Sequence, residues 1–157
     1  MMGTHNQEFI LIDDDVIVLK FCKLLLTKTV PDAIVNTFSE PEMGLEYLRF
    51  HFSKENRVNP AVILLDINMP TMSGWDFLEQ FAMLNDSIRK SIHIYILSSS
   101  VDDRDKERAF SNQYVLDYLT KPISKEAITN ILKSLQSSPQ GSPFMSFIPA
   151  SYFPILC

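Results

Sequence analysis

The chain is short of cysteine, of surplus positive charge and of long apolar runs, and each shortage narrows what it can do. Only Cys22 and Cys157 occur in 157 residues, far apart in the sequence. No disulfide framework is expected, and a reducing cytoplasm fits best. Cys22 sits on an apolar helical stretch and reads as a core residue rather than a reactive thiol. Lys and Arg number 14 against 19 Asp and Glu, a net charge of −5. With no block of basic residues, a nucleic-acid surface is not expected. The opening MMGTHNQEFILIDDD has no basic lead-in, and its apolar run is only four residues long. Neither a signal peptide nor a membrane span is therefore expected. There is no internal repeat beyond an alternation of strand-like and helix-like stretches.

That alternation is the main thing present. Hydrophobic residues make up 46% of the chain, enough for one compact domain with a proper core. The length does not accommodate a conventional second domain beside it. Apolar runs at 9–12, 33–37, 61–65, 93–97 and 115–119 read as strands; AVILL at 61–65 is apolar throughout and should be central. Helical spacing places helices over 16–26, 75–84, 103–110 and from Ser124 to about Leu135. A further helix should open at a capping box formed by Ser39 and Glu42, with Pro41 in its first turn. The polar stretch 51–59 reads as a loop. Strands alternating with helices predict an α/β fold, a doubly wound five-stranded parallel sheet with helices on both faces. The domain should cover 1–136. Residues 137–157 should be a Ser- and Pro-rich linker leading to the apolar, Pro-interrupted stretch PFMSFIPASYFPILC, with no separate domain.

Four polar clusters each come directly after an apolar run: Asp13-Asp14-Asp15, Asp66, Ser98-Ser99-Ser100 and Lys121-Pro122. In an open parallel sheet, residues just past the strand C-termini converge on one crevice. Carboxylates, a hydroxyl and an ammonium would meet there, a set suited to a divalent cation and a phosphoryl group. Carboxylates crowded together without a cation would repel one another and rise in pKa. Mg²⁺ takes such oxygen ligands together with waters and phosphate. Asp66, beside the cation, is placed to act as a nucleophile toward phosphorus. Asn68 can offer its backbone carbonyl to the metal. Ser98, directly after Leu97, is the serine expected to face the site. Lys121 is a compact point charge for phosphate, and Lys121-Pro122 is a candidate cis peptide. Asp15 reads as a helix-start residue, Ser99 and Ser100 as turn.

The pieces ILIDDD, LLDINMPTMSG, ILSS and DYLTKP, in that order and spacing, closely resemble the response-regulator receiver domain of two-component signalling. The resemblance covers residue 9 to about 135. It implies a flavodoxin-like sheet of order 2-1-3-4-5 and a stand-alone, chemotaxis-receiver-like signalling domain rather than an enzyme. By the resemblance, Asp66 is the phosphoacceptor. Asp14 ligates Mg²⁺ directly, Asp13 acts through water, and Asn68 gives its carbonyl. Lys121 contacts the phosphate, and Ser98 and Tyr118 form the switch. The implied phosphodonor is a sensor histidine kinase or a histidine phosphotransfer protein, and the implied output is a change in protein–protein contacts. Three features depart from the family pattern. Ser98 stands where Thr is commoner, SNQYV replaces the usual Gly-Ala before the last strand, and the apolar stretch after Ser137 has no counterpart.

Two other readings compete. LIDDDV also resembles the start of the haloacid-dehalogenase phosphatases, in which Asp13 would be the nucleophile, Asp15 the general acid and Asp102-Asp103 the second acidic pair. Ile17, however, stands at their Thr/Val position, and that family gives no reason for DINMPTMSG. The other reading is a receiver that no longer takes phosphate and acts by binding alone.

Overall fold

The computed structural model describes residues 6–53 and 59–137. The elements run β1 (Glu8–Ile12), α1 (Val16–Thr29), β2 (Ile34–Phe38), α2 (Pro41–His51), β3 (Ala61–Leu65), α3 (Gly74–Ala82), α4 (Asp86–Lys90), β4 (Ile92–Ser98), α5 (Asp103–Ser111), β5 (Val115–Thr120) and α6 (Lys125–Ser137). All strand pairings are parallel, in the order β2-β1-β3-β4-β5. This is the expected doubly wound five-stranded sheet. Among the described residues no helix is long and apolar enough to cross a membrane.

Because successive strand side chains point to opposite faces, each inner strand divides its apolar residues between two cores. Ile10, Ile12, Ile63, Leu65, Ile94 and Ile96 face one layer with α2, α3 and α5. Phe9, Leu11, Val62, Leu64, Tyr95 and Leu97 face the other with α1 and α6. Being buried on both faces explains why β1 and β3 read as continuous apolar runs. The edge strands β2 and β5 are only partly covered. Cys22 lies in the α1/α6 layer, 2% exposed, and burial, reinforced by the Asp13 carboxylate, pushes its thiol pKa up to about 11. It is a core residue, as expected.

Three local expectations are corrected. The capping box at Ser39 does not form: Glu40 is the N-cap of α2, without a side-chain cap hydrogen bond, and Pro41 takes the first helical position. Proline fits that position because its missing N–H would be unpaired there anyway, so the helix starts one residue later than Ser39 would require. The capping box among these residues is at α3 instead, where Ser73 and Asp76 satisfy each other's backbone N–H. There α3 spans Gly74–Ala82, ending before Leu84. The five-residue α4, capped by Asn85, has no counterpart among the expected helices; one turn and a half is too short for helical periodicity to register. Its Ile88 nevertheless fills the core.

At the other end α6 runs one residue past the expected boundary, through Ser137, and Ser124 caps it by accepting from Ala127 N at 3.1 Å. The expected linker and apolar stretch beyond Ser137 lie outside the described residues, as does the 54–58 part of the expected loop. In place of Gly-Ala, the turn into β5 is built by Asn112, whose side chain accepts from Tyr114 N at 2.9 Å and whose carbonyl accepts from Val115 N at 3.2 Å.

Candidate functional site

The sheet register carries the ends of β1, β3, β4 and β5 to one edge. Ile12 pairs with Leu65, Leu65 with Ile96, and Ser98 with Thr120. Asp13, Asp66 and Lys121 each stand one residue beyond a strand. The backbone locks these exits: Asp66 N donates to Ile12 O at 2.9 Å, and Lys121 N donates to Ser98 O at 2.9 Å. The Lys121–Pro122 peptide is cis.

Asp13 and Asp66 are buried and Asp14 is exposed, and one carboxylate oxygen from each lies within 4.8 Å of the others. The Lys121 ammonium sits on this group, 2.6 Å from Asp13 Oδ2 and 3.4 Å from Asp66 Oδ1. Asp13 also accepts from the Asp15 backbone N–H at 2.9 Å. Asn68 is exposed, and its backbone N–H makes a long contact of 3.4 Å to Asp66 Oδ1.

Three carboxylates against one ammonium leave the pocket short of positive charge, and Asp66 registers the shortfall. Its pKa is pushed up to about 6, first by burial and then by the Asp13 carboxylate, with Lys121 and the Asn68 N–H pulling the other way. For Lys121, burial lowers the pKa, but its hydrogen bond and attraction to Asp13 and the charge of Asp66 outweigh that, and it stays raised. Close-set carboxylate oxygens, one exposed and two buried, suit a hard divalent cation that keeps some of its waters. Asp13, Asp14 and Asp66 therefore fit Mg²⁺.

The raised Asp66 pKa has a measurable consequence. A carboxyl whose folded pKa exceeds its unfolded value of 3.8 binds its proton more tightly in the folded state. Its ionisation therefore works against folding, increasingly as pH rises from about 4 through about 6. Asp66→Asn removes that penalty. In chelator at pH 8 the variant should be the more stable, by up to about 3 kcal/mol at roughly 1.4 kcal/mol per unit. The gain should shrink as pH falls toward 4. Melting curves between pH 4 and 8 check this; a gain independent of pH would sink it.

Ser98 is fully buried at the end of β4, its Oγ accepting from Ser100 N at 3.1 Å. Ser99 is exposed. Half-buried Tyr118 donates its hydroxyl to the Ser100 carbonyl at 3.0 Å. Ser100, expected as simple turn, anchors this corner, its own hydroxyl donating to Asp105 Oδ2 at 2.6 Å. A carbonyl's role leaves no mark in the residue type, so no sequence signal points to it. The direct Asp13–Lys121 pair is likewise absent from the sequence reading, although opposite charges at converging strand ends are its available signal. Asp15 is the N-cap of α1, accepting from Ile17 N and Val18 N, and Asp102 is the N-cap of α5, paired with Arg104. Both of these carboxylates, which the phosphatase reading demands, are thus committed to helix ends.

Across residues 9–133 the chain matches the family model described as the response regulator receiver domain. It is 32% identical to a response regulator receiver protein from Dyadobacter fermentans, with a TM-score of 0.75 over 84% of this chain and 99% of that one. A two component response regulator from Cytophaga hutchinsonii is 25% identical, with a TM-score of 0.76 over 85% and 98% of the two chains. Over 93 residues the chain is 34% identical to the probable methanogenesis regulatory protein FilR2 of Methanothrix harundinacea, a match that takes in 59% of this chain and only 57% of that protein.

Proposed function

The chain belongs to the response regulator receiver domain family of two-component signalling, and from that premise we propose that it takes a phosphoryl group on Asp66 and switches protein–protein contacts in response. The observation that carries this reading is the buried Asp13–Lys121–Asp66 cluster, with Asp14 completing the acidic group. The domain acts as a signalling phosphoacceptor rather than as a turnover enzyme. Its phosphodonor is a sensor histidine kinase or a histidine phosphotransfer protein.

Asp13, Asp14, Asp66 and the Asn68 carbonyl are the groups that would hold Mg²⁺. When bound, Mg²⁺ neutralises charge on the phosphoryl oxygens. An Asp66 carboxylate oxygen attacks the phosphorus of a phosphohistidine. The O–P bond forms as the P–N bond breaks, and the imidazole nitrogen leaves with the electron pair and takes up a proton. Lys121, already 3.4 Å from Asp66, shifts from Asp13 toward the new dianion. Positioning and charge neutralisation account for most of the rate. The Ser98 hydroxyl gives up its turn contact to Ser100 N and donates to a phosphoryl oxygen. Tyr118 then releases the Ser100 carbonyl and turns inward, changing the face made by β5 and its flanking helices. The phosphoryl group drives this population shift through the contacts it makes in one state only.

Phosphoramidate with Mg²⁺ provides the test. Intact mass should show one base-labile phosphoryl group per chain on the wild type and none on Asp66→Asn. Equal labelling of the variant would move the acceptor elsewhere and overturn the assignment.

A further inference from the structure

Helix α2 buries Gly44, Leu45 and Leu48 and carries an apolar row on its outer side. Met43 and Phe50 are 50% and 79% exposed. With half-buried Tyr47 between them, they follow the spacing of one helix face. A run of rings carries this row to the edge of the sheet. Phe50 lies 5.4 Å from His51, His51 4.3 Å from Tyr47, and Tyr47 5.2 Å from Phe38 of β2, measured between ring centroids. Ile34, 47% exposed at the start of β2, falls on the same side as Phe38, because alternate strand residues share a face. The strip amounts to a few hundred Å², the size at which a surface patch tends to carry a function.

We propose that this strip docks a second copy of the chain, with the two α2 helices packed antiparallel across a two-fold axis.

Three arguments select a second copy. First, the charges on this face complement one another only in that arrangement. Exposed Glu46 and Arg49 border the strip on one flank. Antiparallel packing about the middle of α2 sets Met43 of each copy level with Phe50 of the other. It also brings each Glu46 to within about 3 Å, along the helix axis, of the other copy's Arg49. A parallel packing would instead set Glu46 against Glu46. A surface complementary to itself is what a two-fold interface requires. Second, the residue types match. Aromatic residues, Met and Arg are enriched where chains meet, and Lys is depleted. Helix α2 holds Met43, Tyr47, Arg49 and Phe50 and no lysine, whereas α1, α5 and α6 all carry lysines. Third, the area and the access suit a weak pair. The strip counted on both copies comes to about 1,000 Å², near the lower limit for a specific interface, so association should be no tighter than micromolar. β2 is the last strand on its side of the sheet, which leaves the approach to α2 open among the described residues.

Sedimentation of the full chain from about 10 μM to about 1 mM, a range that brackets such a Kd, provides the test. The average mass should climb from one chain toward two. Phe50→Glu should hold it at one chain with an unchanged melting temperature, since that side chain is mostly in water already. Glu46→Arg and Arg49→Glu should each weaken association by about tenfold, because like charges then face each other. An equimolar mixture of these two variants should associate more strongly than either alone, since every cross-contact then joins opposite charges. A chain that stays single up to 1 mM, association that survives Phe50→Glu, or a mixture no stronger than its components would each overturn the proposal. The measurement uses neither Mg²⁺ nor a phosphodonor, so its result stands apart from that of the labelling experiment on Asp66.

Discussion

In Mg²⁺-free buffer at pH 8, Lys121→Met should lose about 2–3 kcal/mol of stability, and millimolar Mg²⁺ should restore most of it. Methionine keeps the length and the apolar stem of the side chain but removes the ammonium that lies 2.6 Å from Asp13 Oδ2 and 3.4 Å from Asp66 Oδ1. Removing one partner of a buried ion pair costs about 3–5 kcal/mol, because the other charge is left uncompensated. Two effects reduce that here: Lys121 keeps 15% of its side chain exposed, and Asp66 can take up a proton instead of remaining charged. The second effect sets the sign of the pH dependence. The Asp66 pKa, already raised to about 6 with Lys121 in place, climbs further without it. The deficit should therefore be small near pH 5 and grow toward pH 8. Mg²⁺ would occupy the same oxygens with twice the charge, and in the variant it no longer competes with the ammonium. Mg²⁺ affinity should consequently rise even though the metal-free protein is weaker. Melting temperatures in chelator and across a Mg²⁺ titration decide the matter, at roughly 2–4 °C per kcal/mol for a chain of this size. An unchanged melting temperature in chelator, or a deficit that Mg²⁺ fails to close, would show that Lys121 is not the counter-charge of this pocket.

Much of this site was legible in the sequence because its members come directly after apolar runs. A strand buried on both faces writes itself as a continuous hydrophobic stretch, as in AVILL, and the next residue must emerge at the sheet edge. That logic brings Asp13, Asp66 and Lys121 together and picks Ser98 out of three adjacent serines; Ser98 is completely buried at the end of β4 and Ser99 is exposed. It also assigns Asp15 to the start of α1. The missing parts depend on groups or lengths that residue type does not encode. Glu8 joins β1 as a buried carboxylate because Tyr47 OH reaches it at 2.6 Å and Asn36 Nδ2 at 3.0 Å, partners lying in α2 and β2. Nothing within its own strand announces them. α4 is held mainly by Asn85 and by Ile88 in the core, too few positions to show a period. The start of α2 goes to Pro41 rather than to the Ser39 signature because two valid local signals conflict, and the backbone constraint of proline outweighs a side-chain hydrogen bond worth about 1 kcal/mol.

Gly74 carries the second large effect, and it concerns how the Asp66 carboxylate is held. At the first position of α3, Gly74 N donates to Ile67 O at 3.0 Å, drawing the helix start against the end of β3. A Cβ there would stand 2.5 Å from the Asp66 carbonyl oxygen and 2.7 Å from Ile67 Cα. Both are backbone atoms with no side-chain freedom to move aside, so either α3 or the segment bearing Asp66 must shift. Gly74→Ala should therefore cost about 3 kcal/mol, the upper end for forcing an extra methyl into a packed site. It should also weaken Mg²⁺ binding by about tenfold, as expected when the groups that orient a ligand are displaced. Gly44 is the internal control. It too is buried in a helix, but its added Cβ would first meet Ile12 Cδ1 at 2.9 Å, the far end of a side chain. Gly44→Ala should cost about 1 kcal/mol or less, since the better helix propensity of alanine offsets part of the crowding. Denaturant melts of both variants, with Mg²⁺ titrations of each, separate the two cases. Equal losses for Gly44→Ala and Gly74→Ala, or an unaltered Mg²⁺ affinity in Gly74→Ala, would mean that the carboxylate is not positioned by the close approach of α3 to the end of β3.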